Sequence, residues 1–180
     1  MQTWERKGGL IVHGLGDWGR DIAFGNLQAN IETAVYYKCL QCLEMMATEM
    51  GLEGDAKCFH QGAERVYGVY NTNLLVAKDS EYGHAYYTSL DNHPSRDRTA
   101  VAQAIALKFG MVSQQHIADV QKAFLEAIHH DNYVMRSGEI GLRYLFMTLD
   151  DLRRPDIVLR MARQEEHPSY MRFLRRGETT

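Results

Sequence analysis

The feature that most constrains the fold of this chain is a long apolar pattern that follows a glycine-rich loop. The loop, residues 13–19 (HGLGDWG), places three glycines around an Asp-Trp pair. Glycine permits positive φ and close backbone approach, so the loop can carry the Asp17 carboxylate and the Trp18 indole into a cavity. Apolar residues then recur at steps of three and four, as in a helix that buries one face, and Gly51 ends the pattern. The predicted buried face comprises Ile31, Ala34, Val35, Cys39, Cys42, Leu43, Met46, Ala47 and Met50, and Tyr36, Leu40 and Met45 widen it, so burial is expected on more than one side.

Similar periods predict further helices along the rest of the chain. Residues 71–95 form the longest irregular segment, with a short extended piece expected around residues 82–87. The pattern indicates an all-α domain of about six helices in three hairpins, and it leaves open whether they form a bundle, a solenoid or a toroid. The later helices are expected from about residue 53 to 70, from 98 to 109, after an N-cap at Ser113, from 139 to 151, and from Pro155 onwards.

The composition limits the classes of function. The net charge is −3 and the pI is near 6.2, so electrostatics give no reason to expect nucleic-acid binding. No apolar run approaches the roughly 18 residues of a membrane span, and residues 1–7 lack the apolar core of a secretory signal. Three cysteines are too few for a disulfide framework. The sequence as given therefore predicts a cytoplasmic protein without a membrane partner, unless it is part of a longer chain.

One cluster has the residue types of metal ligands. Cys39, Cys42, Cys58 and His60 could provide four zinc ligands, but they fall within predicted helices rather than in zinc knuckles. Cys39 and Cys42 lie on the predicted apolar face, where a free cysteine packs as a small hydrophobic residue. Core packing is therefore the favoured interpretation, and we expect no metal site.

Carboxylates at the predicted helix starts are the stronger candidates for chemistry. Asp17 follows a glycine turn, Glu32 opens the long helix, and Glu139 follows Ser137-Gly138. Each of them alone is best explained as a charge that complements a helix N-terminus. Together with Trp18 and the tyrosines of residues 82–87, they are compatible with a carbohydrate site, because glycoside hydrolysis uses paired carboxyl groups and aromatic faces hold sugars.

The sequence as a whole resembles the C-terminal half of the six-hairpin catalytic domain of bacterial α-L-rhamnosidases. The resemblance covers nearly the whole chain, and the ordered set of motifs is more specific than any one of them. The matching segments are residues 14–18 (GLGDW), 32–37 (ETAVYY), 98–104 (RTAVAQA), 137–145 (SGEIGLRYL), 167–170 (HPSY) and 177–180 (GETT).

The resemblance implies a single partial domain over residues 1–180, which would form part of an (α/α)6 toroid. It implies hydrolysis of terminal α-L-rhamnosides by an inverting mechanism, with two carboxyl groups and no essential cofactor. Asp17 and Trp18 would line the sugar subsite, with the indole against the rhamnose ring. Glu32 opens the matched helix and is expected at the same site, and Glu139 is expected to contact the sugar.

The resemblance also implies that the chain is catalytically incomplete. The general acid of the family lies in a motif upstream of the Gly-Asp-Trp loop, and the general base lies a few residues beyond the Gly-x-Thr-Thr pattern. Both are therefore expected outside this chain. Half a toroid exposes the faces that the other hairpins would cover, so we expect a homo-oligomer that covers these apolar faces. Relatives are often exported, which leaves the localisation of a parent enzyme unknown.

Two alternative functions remain open. Toroids of hairpins host several specificities, so the chain could derive from another six-hairpin carbohydrate-active enzyme. It could also be a non-catalytic helical interaction module that uses its arginine-rich C-terminal helices as a surface. The arginines alternate with acidic residues, which is typical of a solvated, salt-bridged face. They are Arg153, Arg154, Arg160, Arg163, Arg172, Arg175 and Arg176.

Overall fold

The computed structural model describes residues 9–14, 16–17, 28–77, 82–88, 98–166 and 168–178. This part is almost entirely helical, which confirms the predicted all-α class. Its elements are α1 (Gln28–Glu49), α2 (Glu53–Leu74), β1 (Leu75–Val76), β2 (Tyr86–Tyr87), α3 (Ala100–Lys108), a 3₁₀ turn (Gln114–His116), α4 (Ile117–His130), α5 (Glu139–Asp151), α6 (Pro155–Ala162) and α7 (Tyr170–Arg175).

The first six helices form three hairpins, as the sequence predicts. Helix α1 packs against α2, α3 against α4, and α5 against α6, while α3 also lies between α1 and α5. Residues 100–106 of α3 are all buried, and the alternating alanines of this helix allow its neighbours to approach closely. The seventh helix, α7, is a short element beyond the six helices that the sequence predicts. The Ser169 hydroxyl caps it by accepting from the backbone N–H of Arg172.

Helix α1 corrects the predicted buried face. Ile31, Ala34 and Ala47 are buried as predicted, and so are Tyr36 and Leu40 on the widened part of the face. The remaining predicted positions are wholly or partly exposed. The physical reason is length, because α1 has 22 residues and α3 has only 9, so the C-terminal half of α1 extends beyond the helix that would cover it. Val35 is half-buried against the core and Cys42 is half-buried, whereas the wrongly assigned positions are Cys39, Leu43, Met45, Met46 and Met50.

Turn chemistry is predicted more accurately than burial. Gly51 ends α1 with a φ of +72°, as its position after the apolar pattern indicates. Thr99 begins α3 as an N-cap, with its side chain accepting from the backbone N–H of Ala102. Ser113 precedes the 3₁₀ turn before α4, but its side chain makes no capping hydrogen bond.

The short strand pair is fixed to the helices by a buried amide. Leu75 pairs with Tyr87 and Val76 with Tyr86 in an antiparallel register. The Gln103 side chain accepts from the backbone N–H of Tyr87 and donates to its carbonyl, both at 2.7 Å, so it continues the ladder from α3. Among the described helices, none is both long and apolar enough to cross a membrane.

Candidate functional site

The candidate site lies where the loop before α1 meets the N-terminal ends of α1 and α5. The loop is fixed to α1 at Ile11, whose backbone N–H donates to the Thr33 hydroxyl at 3.0 Å. Both residues are buried, so this hydrogen bond is shielded from water. It places the start of the loop beside the second turn of α1.

Glu32 holds the middle of the loop against this turn. The backbone N–H of Gly16 donates to Glu32 Oε1 at 3.1 Å. A Cβ atom on Gly14 would lie 2.0 Å from the same oxygen, so a side chain at this position would displace the Glu32 carboxylate. Glu32 is half-buried and therefore has one face towards the loop and the rest towards solvent.

Asp17 connects the loop to the start of α5. Its side chain is fully buried, with Oδ2 accepting from the backbone N–H of Gly138 at 2.7 Å and Oδ1 from that of Gly141 at 2.8 Å. Gly138 is the N-cap residue of α5 and has no side chain with which to cap the helix. Asp17 therefore satisfies, from a distant part of the chain, N–H groups that a local cap would otherwise satisfy.

Burial and hydrogen bonding act in opposite directions on Asp17. Burial is the largest influence and raises the pKa of the carboxyl above its ordinary value of 3.8. The backbone N–H groups of Gly141, Gly138 and Ile140 favour the ionised form and lower the pKa, while the Glu139 charge raises it. The net pKa is raised, so ionisation of this carboxyl is harder in the folded chain than in water.

Glu139 differs from Asp17 in its exposure. It is the first residue of α5 and its side chain is exposed, although Asp17 binds N–H groups on both sides of it. The structure thus brings Asp17, Glu32 and Glu139 to one end of the hairpins, with one carboxylate buried, one half-buried and one open to solvent. Trp18 lies outside the described residues.

Residues 2–180 match the family described as the bacterial alpha-L-rhamnosidase six-hairpin glycosidase domain. The chain belongs to this family. No curated protein sequence matches the chain significantly.

Solved α-L-rhamnosidases have the same fold as this six-hairpin domain. The enzyme from Streptomyces avermitilis, solved in complex with L-rhamnose, has a TM-score of 0.74 and 21% identity over 99% of this chain. The enzyme from Dictyoglumus thermophilum has a TM-score of 0.72 and 22% identity over 93% of it, and that from Aspergillus terreus has 0.70 and 18% over 97%. The chain spans 16–20% of the length of these proteins.

Two glycines at the start of α5, Gly138 and Gly141, also belong to the site. The sequence alone did not connect them with Asp17. A Cβ on Gly141 would lie 2.3 Å from Asp17 Oδ2 and 2.7 Å from Val101 Cγ1, so glycine is required for this contact. A helix start without a capping side chain, followed by a second glycine three residues later, is the signal that could have indicated an acceptor from elsewhere in the chain.

A second charged cluster stabilises the strand pair against α4. Arg98 Nη1 donates to Glu126 Oε2 at 2.8 Å, and the guanidinium stacks on Tyr82 with its carbon 3.8 Å from the ring centroid. Burial tends to raise the pKa of Glu126, but Arg98, the nearby His84 and Lys122 favour the ionised form, and the net pKa lies below its ordinary value. This contribution to stability is therefore present above pH about 4.5 and is lost as the pH falls through the lowered pKa.

The potential metal ligands do not form a centre in the part of the chain that the structure describes. No group of three histidine, cysteine or acidic residues there is arranged to hold a metal ion. Cys39 and Cys58 are exposed and Cys42 is half-buried, and all three are free thiols. The expected packing of Cys39 in the core is wrong, since it lies on the uncovered side of α1.

Proposed function

We propose that this chain is an α-L-rhamnosidase-like glycoside hydrolase domain whose carboxylate cluster binds the terminal rhamnose of a rhamnoside. The observation that carries the proposal is the convergence of Asp17, Glu32 and Glu139 at one end of the hairpins. Asp17 directly precedes Trp18 in the sequence. The family match over residues 2–180 and the rhamnose complex of a solved relative support the choice of sugar.

The three carboxylates can contribute to sugar binding in different ways. Glu139 is exposed and can accept hydrogen bonds from sugar hydroxyl groups. Both Asp17 oxygens already accept from backbone N–H groups, so we assign Asp17 to the substrate site as a positioning residue that orients the residues around it. Glu32 acts similarly on residues 14–16, with its exposed part available to the sugar.

We further propose that hydrolysis requires residues outside these 180. In the inverting mechanism that the family resemblance implies, a general acid and a general base lie on opposite sides of the scissile bond. Asp17 is buried with both oxygens engaged, and Glu32 is held against the loop by the Gly16 N–H, so we assign neither of them to such a role. We therefore expect no turnover of an aryl α-L-rhamnoside by this chain alone, and turnover that disappears in Glu139→Gln would contradict the proposal.

The binding proposal predicts a selective loss when Glu139 is changed. Glu139→Gln keeps the shape of the side chain but removes its charge, so the affinity for L-rhamnose is expected to fall about 10-fold, equivalent to the loss of a charged hydrogen bond. Ligand-observed NMR with L-rhamnose, and quenching of Trp18 fluorescence in a Trp4→Phe background, measure the binding.

Glu53→Gln is the matched control, because Glu53 is also an exposed glutamate at the first position of a helix, α2. It should bind L-rhamnose like the unmodified chain. Equal losses in both variants, or no rhamnose signal in any of them, would leave the site without support. Preference for a different monosaccharide would favour another six-hairpin carbohydrate-active enzyme, and no sugar binding would favour an interaction module.

We also propose that copies of the chain associate and cover exposed apolar faces. The candidate contact residues are the exposed apolar side chains Leu43, Met46 and Met50 of α1 and Leu174 of α7.

A further inference from the structure

A cavity of about 210 Å³ lies at the opposite end of the hairpins from the three carboxylates. It opens between the C-terminal ends of α3 and α5 and the beginning of α4, and α3 packs against both of the other helices. Thr148 lines the cavity and lies about 14 Å from Glu139 along the axis of α5, by the rise of an α-helix. The cavity is therefore separate from the proposed sugar site.

The wall of this cavity is mainly aliphatic. Leu107, Val112 and Leu152 are half-buried, since each packs against the core on one side and lines the cavity on the other. Ile117, the first residue of α4, adds a fourth aliphatic side chain. Water beside such side chains has few hydrogen-bond partners, so an apolar group that displaces it is bound favourably.

One polar group in the wall lacks a partner. Thr148 is 2% exposed, and its Oγ1 atom has no hydrogen-bond partner within the part of the chain that the structure describes. A buried polar group without a partner is destabilising, whereas a hydrogen bond made to it in apolar surroundings is strong. Because a threonine hydroxyl can both donate and accept, a ligand with one hydroxyl group can supply the missing hydrogen bond.

The charge at the cavity favours a neutral ligand. Asp151 is exposed at the rim, and its Oδ2 already lies 2.6 Å from Lys108 Nζ. A charged ligand would lose its hydration against the aliphatic wall without gaining an unpaired partner, which is costly. A sugar is disfavoured as well, because four aliphatic side chains cannot satisfy its many hydroxyl groups.

We propose that this cavity binds a neutral alcohol of about the size of phenol. Its hydrocarbon part lies against the aliphatic wall, and its hydroxyl group forms a hydrogen bond with Thr148 Oγ1. A volume of about 210 Å³ suits a molecule of this size, because an engineered cavity of about 150 Å³ in another protein holds benzene. The inference is independent of the sugar proposal, since Asp17, Glu32 and Glu139 do not line this cavity.

Phenol and toluene form a matched pair of test molecules, because they have nearly the same shape and only phenol has a hydroxyl group. Two-dimensional amide NMR of the unmodified chain should show phenol-dependent shifts at Leu107, Thr148 and Leu152, and phenol should bind about 5–10-fold more tightly than toluene. Thr148→Val keeps the shape of the side chain but removes its hydroxyl group. This variant should therefore bind the two molecules equally.

Thr48→Val is the matched control, since Thr48 is an exposed threonine of α1 whose hydroxyl already donates to the Glu44 carbonyl. It should keep the preference for phenol. Ile117→Phe retains Thr148 but fills part of the cavity, so it should weaken the binding of both molecules. Far-UV circular dichroism verifies that each variant is folded.

Three results would overturn the inference. The first is the absence of phenol-dependent shifts at the residues that line the cavity, and the second is unchanged phenol binding in Ile117→Phe. The third is a preference for phenol over toluene that persists in Thr148→Val.

Discussion

Asp17→Ala is expected to lower the free energy of unfolding by about 2–4 kcal/mol. The substitution leaves the buried N–H groups of Gly138 and Gly141 without an acceptor, and an unsatisfied buried donor costs about 1–3 kcal/mol. It also removes the only capping group that the described residues supply to the start of α5, because Gly138 has no side chain. Urea unfolding followed by circular dichroism at 222 nm measures the change.

Asp156→Ala is the control for this prediction. Asp156 also lies in the first turn of a helix, α6, but it is exposed and pairs with Arg154 at the surface. Its replacement should change stability little, since exposed ion pairs contribute little. Equal stability of Asp17→Ala and the unmodified chain would show that the start of α5 does not depend on this carboxylate.

Asp17→Asn separates the charge from the shape. Asparagine keeps the volume and one acceptor oxygen, so it should cost less than alanine. Because burial raises the pKa of Asp17, the folded state holds the proton at a higher pH than the unfolded chain does. The contribution of Asp17 is therefore fully present below about pH 3.8 and decreases as the pH rises through the folded pKa, and Asp17→Asn should lack this part of the pH dependence.

How much of the fold follows from the sequence depends on whether the signal is local. The helix starts at Glu139 and Pro155, and the end of α1 at Gly51, follow from capping and turn chemistry, which acts within a few residues. The burial pattern of α1 does not follow from the local sequence. The apolar period continues to Met50 whether or not a neighbouring helix is long enough to cover it. The same period thus describes both a core face and an exposed edge.

The candidate site shows the same division. The sequence correctly places Glu139 at a helix start, which is a local property, but its prediction that Glu32 opens the long helix is wrong, because α1 already begins at Gln28. It does not indicate that Asp17 is buried against α5, since that contact joins residues more than 120 positions apart. The interpretation of Asp17 as a residue lining the subsite therefore becomes, in our proposal, a positioning role, while the exposed Glu139 keeps its predicted contact with the sugar.

The glycine that admits Asp17 provides the second large effect. Gly141→Ala is expected to destabilise the chain by about 1–3 kcal/mol, because the new Cβ would lie 2.3 Å from Asp17 Oδ2 and 2.7 Å from Val101 Cγ1. Gly68→Ala, within α2, should instead stabilise it by about 0.5–1 kcal/mol, because nothing lies within 4 Å of the added methyl group and alanine is the better helix former. The two variants carry the same chemical change on helical glycines, so opposite shifts in urea midpoint isolate the close contact at α5.

If Gly141→Ala were stabilising as well, Asp17 could not be seated against the first turn of α5 as described. Loss of rhamnose binding in Gly141→Ala, with binding retained in Gly68→Ala, would further connect the seating of Asp17 with the orientation of Glu139.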